Sequence, residues 1–249
     1  MKSQQFQAHE IPYGTLAKFG LTQEMVEDLP QTVQENILEG RRSPVLPIQM
    51  PDDDGTLIKA RTRFALVRLD DNDVDVMFYP QLAKCDIERF TPEEQKALLS
   101  NRAIIATATM PDGKRIPAFH QLDPGTNQIL FVPTPVIGRN LEIVAKAMKL
   151  TEAEVTRLQK GTPLSTIEDD VIHTVGIDLN ERSGIGIVRG DVKEWKDAQR
   201  DFIGKYSFGL NGCWTTDDEG NLDYIPEESY TEEIWEELRR KNGQMSLKH

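Results

Sequence analysis

Two stretches of the chain alternate between apolar and polar residues with a period of two. From Ile58 to Val67 one alternating set is Ile58, Ala60, Thr62, Phe64 and Leu66, and the same period continues from Val74 to Tyr79. Successive side chains of a strand point to opposite faces, so this period predicts two strands. The segment between them, 70–73, contains only Asp and Asn, which are turn-forming residues. The pattern therefore predicts a β-hairpin.

The hairpin pattern is written more than once. LDDNDVDVMFYP at residues 69–80 and LDPGTNQILFVP at residues 122–133 both begin Leu-Asp and end Phe-x-Pro. A third, looser copy covers residues 177–187, where one more residue separates the Asp from the next Ile. Such self-similarity indicates a repeated structural unit.

A helix is predicted before each hairpin. The helices end at Gly40, Asn101 and Gly161, and Gly and Asn accept the left-handed conformation that closes a helix. Two of them begin with a capping box, at Thr91 and at Thr151, each with Glu three residues later. The first begins at Pro30, which is a weaker signal.

The spacing of the copies predicts an insertion in the first one. Gly40, Asn101 and Gly161 lie 61 and 60 positions apart, whereas the first two hairpins lie 53 apart, so copy one holds eight extra residues. We expect this extension near residues 52–55. One unit buries only one face, so neighbouring copies should pack on each other.

The fold class that follows is α+β, with two to three repeated helix-plus-antiparallel-hairpin units and extra helices at both ends. Two short helices are expected over 11–28, helical linkers over 139–150 and 191–205, a last hairpin over 208–224, and an amphipathic helix over 231–241. The predicted segments are a flexible N-terminus (1–9), the first unit with its leading helices (10–88), the second unit (89–138), a linker helix with the third unit (139–190), and the C-terminal helix, hairpin and acidic helix (191–249).

Composition narrows the function classes. The net charge of −12 argues against broad binding to nucleic acid, and residues 217–237 contain ten acidic residues without any Lys or Arg. A solvated face is the ordinary explanation for such a run. No secretory signal or membrane-spanning run is present in the sequence, so a cytoplasmic location is expected. Cys85 and Cys213 lie far apart and suggest neither a disulfide framework nor a thiolate metal site.

No catalytic, cofactor or metal motif is predicted. The glycines of residues 184–190 have the wrong spacing for a dinucleotide fingerprint. The four histidines lack Cys, Asp or Glu at ligand spacing, and the aspartates of 70–75 lack the glycine and distal glutamate of a calcium loop. We therefore expect no catalytic residue, no cofactor and no metal, and a protein that is not an enzyme.

One basic feature is a candidate contact surface for nucleic acid or a protein partner. Alternate residues of one predicted strand place three cations on one face, and two more follow the first helix stop: Lys59, Arg61, Arg63, Arg41 and Arg42. The alternative is a solvated face or a set of partners for the chain's own carboxylates. Trp195, Trp214 and Trp235 are expected to pack the final helices, with Trp235 as a candidate partner anchor.

Three stretches of the sequence carry a family resemblance. IPYGTLAKFGLTQEMVEDLP, ILEGRRSPVLP and ALVRLDDNDVDVMFYP together resemble an uncharacterised family of proteins carried on conjugative transposons of Bacteroides-like bacteria. The later units resemble a small domain of unknown function that occurs in tandem, sometimes appended to type IA topoisomerases. The resemblance implies an accessory role and supplies no catalytic residues.

The function expected from these observations is a non-enzymatic adaptor of a mobile genetic element, which binds element-encoded protein partners in DNA processing or transfer. Two alternatives stay open. The basic strand face could bind nucleic acid directly, or the acidic surface could mimic DNA and inhibit a defence enzyme. An enzyme would require a deep polar pocket that gathers carboxylates or histidines from separate units.

Overall fold

The structure, a computed structural model, describes residues 5–52, 54–168, 170–198, 204–217 and 220–246. The chain divides into two compact units: residues 1–81 together with 202–249 form the first, and residues 82–201 form the second. The first unit therefore contains the first helix-and-hairpin copy and the C-terminal segment. The second unit contains the other two copies.

The helices and strands follow one another in repeating order. The first copy and its leading helices consist of a 3-10 turn (Ala8–Glu10), α1 (Tyr13–Ala17), α2 (Gln23–Glu27), α3 (Gln31–Leu38), β1 (Leu46–Pro51), β2 (Leu57–Arg68) and β3 (Val74–Pro80). The next two copies consist of α4 (Pro92–Leu99), β4 (Ile104–Thr109), β5 (Arg115–Asp123), β6 (Gln128–Pro133), α5 (Thr134–Ala147), α6 (Glu152–Gln159), β7 (Leu164–Glu168), β8 (Val171–Ile177) and β9 (Ile185–Arg189). The rest consists of α7 (Val192–Ala198), β10 (Tyr206–Phe208), β11 (Gly212–Thr216), β12 (Leu222–Pro226), a 3-10 turn (Glu227–Ser229) and α8 (Glu232–Ser246).

The predicted α+β class is confirmed. Each of the three copies is a helix followed by a three-stranded antiparallel sheet, with strand orders β1-β2-β3, β4-β5-β6 and β7-β8-β9. A fourth sheet, β10-β11-β12, has the same meander order. In the part of the chain that the structure describes, no helix is long and apolar enough to cross a membrane.

The local signals at the helix ends are confirmed. Thr91 and Thr151 each form a complete capping box, in which the hydroxyl accepts from the third backbone N–H and the glutamate accepts from the cap N–H. The helix stops Gly40, Asn101 and Gly161 have φ of 83°, 54° and 74°. All three lie in the left-handed region, as the choice of Gly and Asn requires.

The predicted position of the eight-residue extension is wrong. The turn between β1 and β2 closes with hydrogen bonds from Asp52 N to Thr56 O and from Gly55 N to Asp52 O. The turn between β4 and β5 closes in the same way, through Met110, Gly113 and Lys114. The eight extra residues lie instead in the connection after Gly40, which is three residues longer than the one after Asn101, and between the start of β2 and Leu69, which is five residues longer than from the start of β5 to Leu122. A spacing difference fixes the size of an insertion but does not locate it.

Some predicted features lie partly outside the described residues. These include residues 1–4 of the N-terminus, residues 199–203 of the linker expected over 191–205, and residues 218–219 of the last hairpin turn. Phe6, within the segment predicted to be flexible, is fully buried in the first core.

The C-terminal sheet completes the core of the first unit. Trp214 of β11 and Leu222 of β12 are fully buried in one cluster with residues of α3, β1 and β2. The indole N–H of Trp214 donates to the carbonyl oxygen of Met25 at 2.9 Å. Trp214 was expected to pack the final helices, but it packs against the N-terminal helices instead.

A buried carboxylate ties the same two parts of the chain together. Asp28, which ends α2 and is 4% exposed, accepts hydrogen bonds from the backbone N–H groups of Leu210 and Asn211 at 2.7 and 3.0 Å. It also accepts from the Tyr224 hydroxyl at 2.6 Å. Burial and this carboxylate raise the pKa of Tyr224, which therefore stays a neutral donor.

The second and third copies share one core, as predicted for neighbouring units. Phe119 and Leu130 of the second copy's sheet pack in one cluster with α5, α6 and the inner face of the third sheet. The opposite face of the β4–β6 sheet packs against α4 through Leu98 and Leu122. Gln121 of β5 links the copies, since its Oε1 accepts from Leu179 N at 2.7 Å and its Nε2 donates to Asn101 O at 3.2 Å.

Because His120 is buried, the stability of the second unit is expected to depend on pH. Its ring is 1% exposed and lies near the rings of Phe90 and Phe131, and burial lowers its pKa from 6.5. Below pH 6.5 the unfolded chain binds a proton at His120 more readily than the folded chain does. The free energy of unfolding should therefore fall with falling pH. The slope from this group is at most about 1.4 kcal/mol per pH unit. Urea unfolding of the wild-type protein and of His120→Leu at several pH values below 6.5 measures this slope. A wild-type curve no steeper than that of the variant would contradict the prediction.

Candidate functional site

The predicted basic strand face lies on β2, where Arg61 and Arg63 are engaged within the first unit. The Arg61 guanidinium donates to both carboxylate oxygens of Asp223, at 2.8 and 3.0 Å, and to the carbonyl oxygen of Leu222 at 3.0 Å. Arg63 donates to the carbonyl oxygen of Ser43 at 2.9 Å. The two guanidinium groups thus hold neighbouring segments against β2.

The remaining predicted cations are placed differently. Arg41 pairs with Glu39 at 3.5 Å, and the Arg42 guanidinium lies 4.0 Å from the ring centroid of Tyr79. Lys59 is exposed on β2. The structure therefore places Lys59, Arg61 and Arg63 on one strand face. It also gives Arg61 and Arg63 partners within the chain, which was the alternative considered from the sequence.

Trp235 belongs to an aromatic cluster at the start of α8. Its ring meets Tyr230 edge-on at 5.1 Å between centroids, and Tyr230 in turn meets Phe208 at 6.0 Å. Burial raises the pKa of Tyr230 to about 12, so its hydroxyl stays protonated. Trp235 is half-buried, which leaves part of the indole on the surface.

The second unit contains an open cleft that sequence reasoning missed. Its volume is ≈ 1130 Å³, and it lies beside the helix stops of the second and third copies. Residues of α4, α6, α7 and the β5–β6 turn line it. The apolar part of the lining consists of Ala97, Leu99, Pro124, Pro163, Val192 and Trp195.

Close backbone packing at Gly161 sets the shape of the cleft. A Cβ at this position would collide with the carbonyl oxygen of Ala103, which follows the helix stop of the preceding copy. Only a glycine satisfies both this approach and the positive φ. The segments that follow α4 and α6 therefore approach each other closely, and residues from both helices line the cleft.

Trp195 forms another wall. It is 4% exposed and lies over the third sheet, where a Cβ on Gly176 would come within 2.5 Å of its ring. Gly176 pairs with Gly186 across β8 and β9, and this glycine pair leaves the space that the indole fills. The sheet thus fixes α7 at the edge of the cleft.

The charged lining of the cleft is mainly cationic. Its charged members are Lys96, Arg102, Arg157, Lys196 and Glu93. All five are exposed, and within the described ranges none of the four cations forms a salt bridge. Lys96 and Arg157 lie in the last turns of α4 and α6, where the partial negative charge of a helix C-terminus favours cations. The cleft is therefore a local positive site on an acidic protein.

The chemistry that this lining offers is recognition of carboxylate or phosphate together with apolar contact. Arg presents a planar fork of donors to such groups, and Lys a compact charge.

Among the described residues, no group of three or more His, Cys, Asp or Glu is arranged to hold a metal ion. Burial raises the pKa of the Cys213 thiol to about 11, which keeps it protonated and poorly nucleophilic at neutral pH.

Comparison with known protein families finds a match over part of the chain. Residues 6–89 match the model of a family described as "Protein of unknown function (DUF4099)". The match covers α1 to α3 and the first sheet, and it confirms the expected resemblance to an uncharacterised family. No curated protein matches the chain. No solved structure matches it either.

Proposed function

We propose that this protein is a non-enzymatic adaptor of a mobile genetic element, which acts in the cytoplasm and binds element-encoded proteins during DNA processing or transfer. The observation that carries the proposal is the cleft of the second unit. The resemblance stated above supplies the proposed setting on a mobile element.

The form of the cleft favours a polypeptide ligand. Small-molecule sites usually occupy about 300–1,000 Å³ and enclose most of the ligand. This cleft has a volume of ≈ 1130 Å³ and exposed charged walls, so it is suited to a segment of chain that remains partly solvated. It also lies where two copies of the unit meet, and stacked units commonly present extended binding surfaces.

Direct nucleic-acid binding through β2 is the second candidate, because Lys59, Arg61 and Arg63 do share one strand face. It predicts salt-sensitive DNA binding that is lost when all three become Glu. The bonds from Arg61 to Asp223 and from Arg63 to Ser43 favour a structural role for two of the three cations. Mimicry of DNA would instead require carboxylates spaced along one face.

An affinity pulldown from the native host tests the adaptor proposal. The tagged protein is recovered with and without nuclease, and co-purifying proteins are identified by mass spectrometry. We expect proteins encoded by the same element to persist after nuclease treatment. Their recovery only when nucleic acid is intact would reject the adaptor in favour of a nucleic-acid contact.

A further inference from the structure

We infer that the cleft of the second unit binds an acidic polypeptide segment that also carries an apolar side chain. This inference rests on the proposed adaptor function and specifies the chemistry of the partner. It is carried by the charge of the cleft, by the exposed Leu99 in its apolar lining and by the absence of salt bridges from its four cations within the described ranges.

Charge complementarity selects an anionic partner. Four cations and one carboxylate line the cleft, whereas the whole chain has a net charge of −12. An acidic segment is therefore attracted locally but repelled by the rest of the surface, which favours binding in this one place. Arg102 and Arg157 can each receive a carboxylate through two donors.

The apolar lining favours a partner that carries an apolar side chain as well as negative charge. Leu99 is 64% exposed at the end of α4, next to the cationic side chains, and Pro124 and Val192 also line the cleft. Covering Leu99 with an apolar partner side chain would remove it from water and contribute affinity. A peptide of Asp and Glu alone would leave this contact unmade.

A polypeptide fits better than a nucleic acid. Single-stranded nucleic acids bind through aromatic rings on which bases stack, in addition to a positive groove. The aromatic residue in the cleft lining is Trp195, whose ring is 4% exposed and already packed against the third sheet. The cleft therefore offers carboxylate and apolar contacts without a stacking platform.

The test is a selection of random short peptides displayed on phage against the immobilised full-length protein. We expect enrichment of sequences that combine several Asp or Glu with a Leu, Ile, Phe or Met. Synthetic versions of the enriched peptides should bind Lys96→Glu/Arg157→Glu roughly tenfold or more weakly than wild type. Leu99→Ala should weaken binding by a smaller factor.

A matched control separates the cleft from overall charge. Arg139→Glu/Lys146→Glu changes the net charge equally, and Lys146 likewise lies in the last turn of a helix, α5. This variant should bind the peptides within about twofold of wild type. Circular dichroism confirms that both double variants are folded.

Other outcomes would overturn the inference. Enriched peptides without acidic residues, no enrichment, or an equal loss in both double variants would each reject an acidic ligand at the cleft. Tighter binding of a single-stranded oligonucleotide, with loss in Lys96→Glu/Arg157→Glu, would assign the cleft to nucleic acid. The adaptor proposal is judged separately, since the pulldown can recover element-encoded proteins that bind another surface.

Discussion

Replacing Gly161 with Ala should lower the free energy of unfolding of the second unit by about 3–5 kcal/mol. Gly161 has φ of 74°, where a side chain is strained, and a Cβ would collide with the backbone oxygen of Ala103. That oxygen cannot move aside as a flexible side chain would. The contact joins the helix stop of the third copy to the segment that follows the helix stop of the second, so relief of the collision must separate them.

Gly113→Ala is the matched control. Gly113 lies in the same unit with φ of 80°, but a Cβ there meets nothing within 4 Å. It should therefore show only the conformational cost, about 1 kcal/mol. Urea unfolding with hydrogen-exchange readout of residues 82–198 compares the two variants. Equal losses would contradict close backbone packing at Gly161.

Replacing Trp214 with Ala should lower the free energy of unfolding of the first unit by about 3–5 kcal/mol. The side chain is fully buried, its ring meets Tyr224 at 5.2 Å, and its N–H donates to Met25 O. The substitution leaves a cavity between the C-terminal sheet and the N-terminal helices, together with an unsatisfied carbonyl group. Trp214→Phe keeps much of the packing and should cost less.

Hydrogen exchange shows which part of the chain loses stability in Trp214→Ala. Protection should fall in α2, α3 and β2, although Trp214 lies on β11 near the other end of the chain. Trp235→Ala, which removes a half-buried indole from the same unit, is the control and should cost about 1 kcal/mol. If Trp214→Ala left the protection of α2 and α3 unchanged, the C-terminal sheet would not be part of their core.

Local features of this fold could be predicted because they are encoded within a few residues. The capping boxes at Thr91 and Thr151 need a hydroxyl and a glutamate three positions apart, and the helix stops need a residue that accepts positive φ. The alternation along β2 likewise follows from one buried face. These signals were sufficient for the α+β class and for the repeated unit.

Contacts between distant parts of the chain could not be predicted in this way. Trp214 and Met25 are 189 positions apart, and Arg61 and Asp223 are 162 apart, so no periodic pattern relates them. The basic strand face was visible in the sequence, but the partners of Arg61 and Arg63 were not.

The cleft was missed for a related reason, because its cations come from separate segments. Lys96 and Arg102 flank one helix stop, Arg157 precedes the next, and Lys196 lies on α7. The alignment of the helix stops was the one available signal, since basic residues lie near both stops. That signal becomes informative only when Gly161 is known to pack against Ala103 of the other copy.

The family match covers only part of the first unit's core. Residues 6–89 match the family model, yet their core is completed by residues of β11 and β12. A fragment that ends after the match would lack Trp214 and Leu222, which are fully buried members of this core. Binding experiments should therefore use the full chain.

The most direct test of the adaptor account is a quantitative pulldown under nuclease treatment with three baits: wild type, Lys96→Glu/Arg157→Glu and Arg139→Glu/Lys146→Glu. The account predicts that element-encoded proteins are recovered equally with wild type and the control. With the cleft variant, their recovery should fall roughly tenfold. Equal recovery with all three baits would contradict binding at the cleft, and recovery of no element-encoded protein would contradict the adaptor function itself.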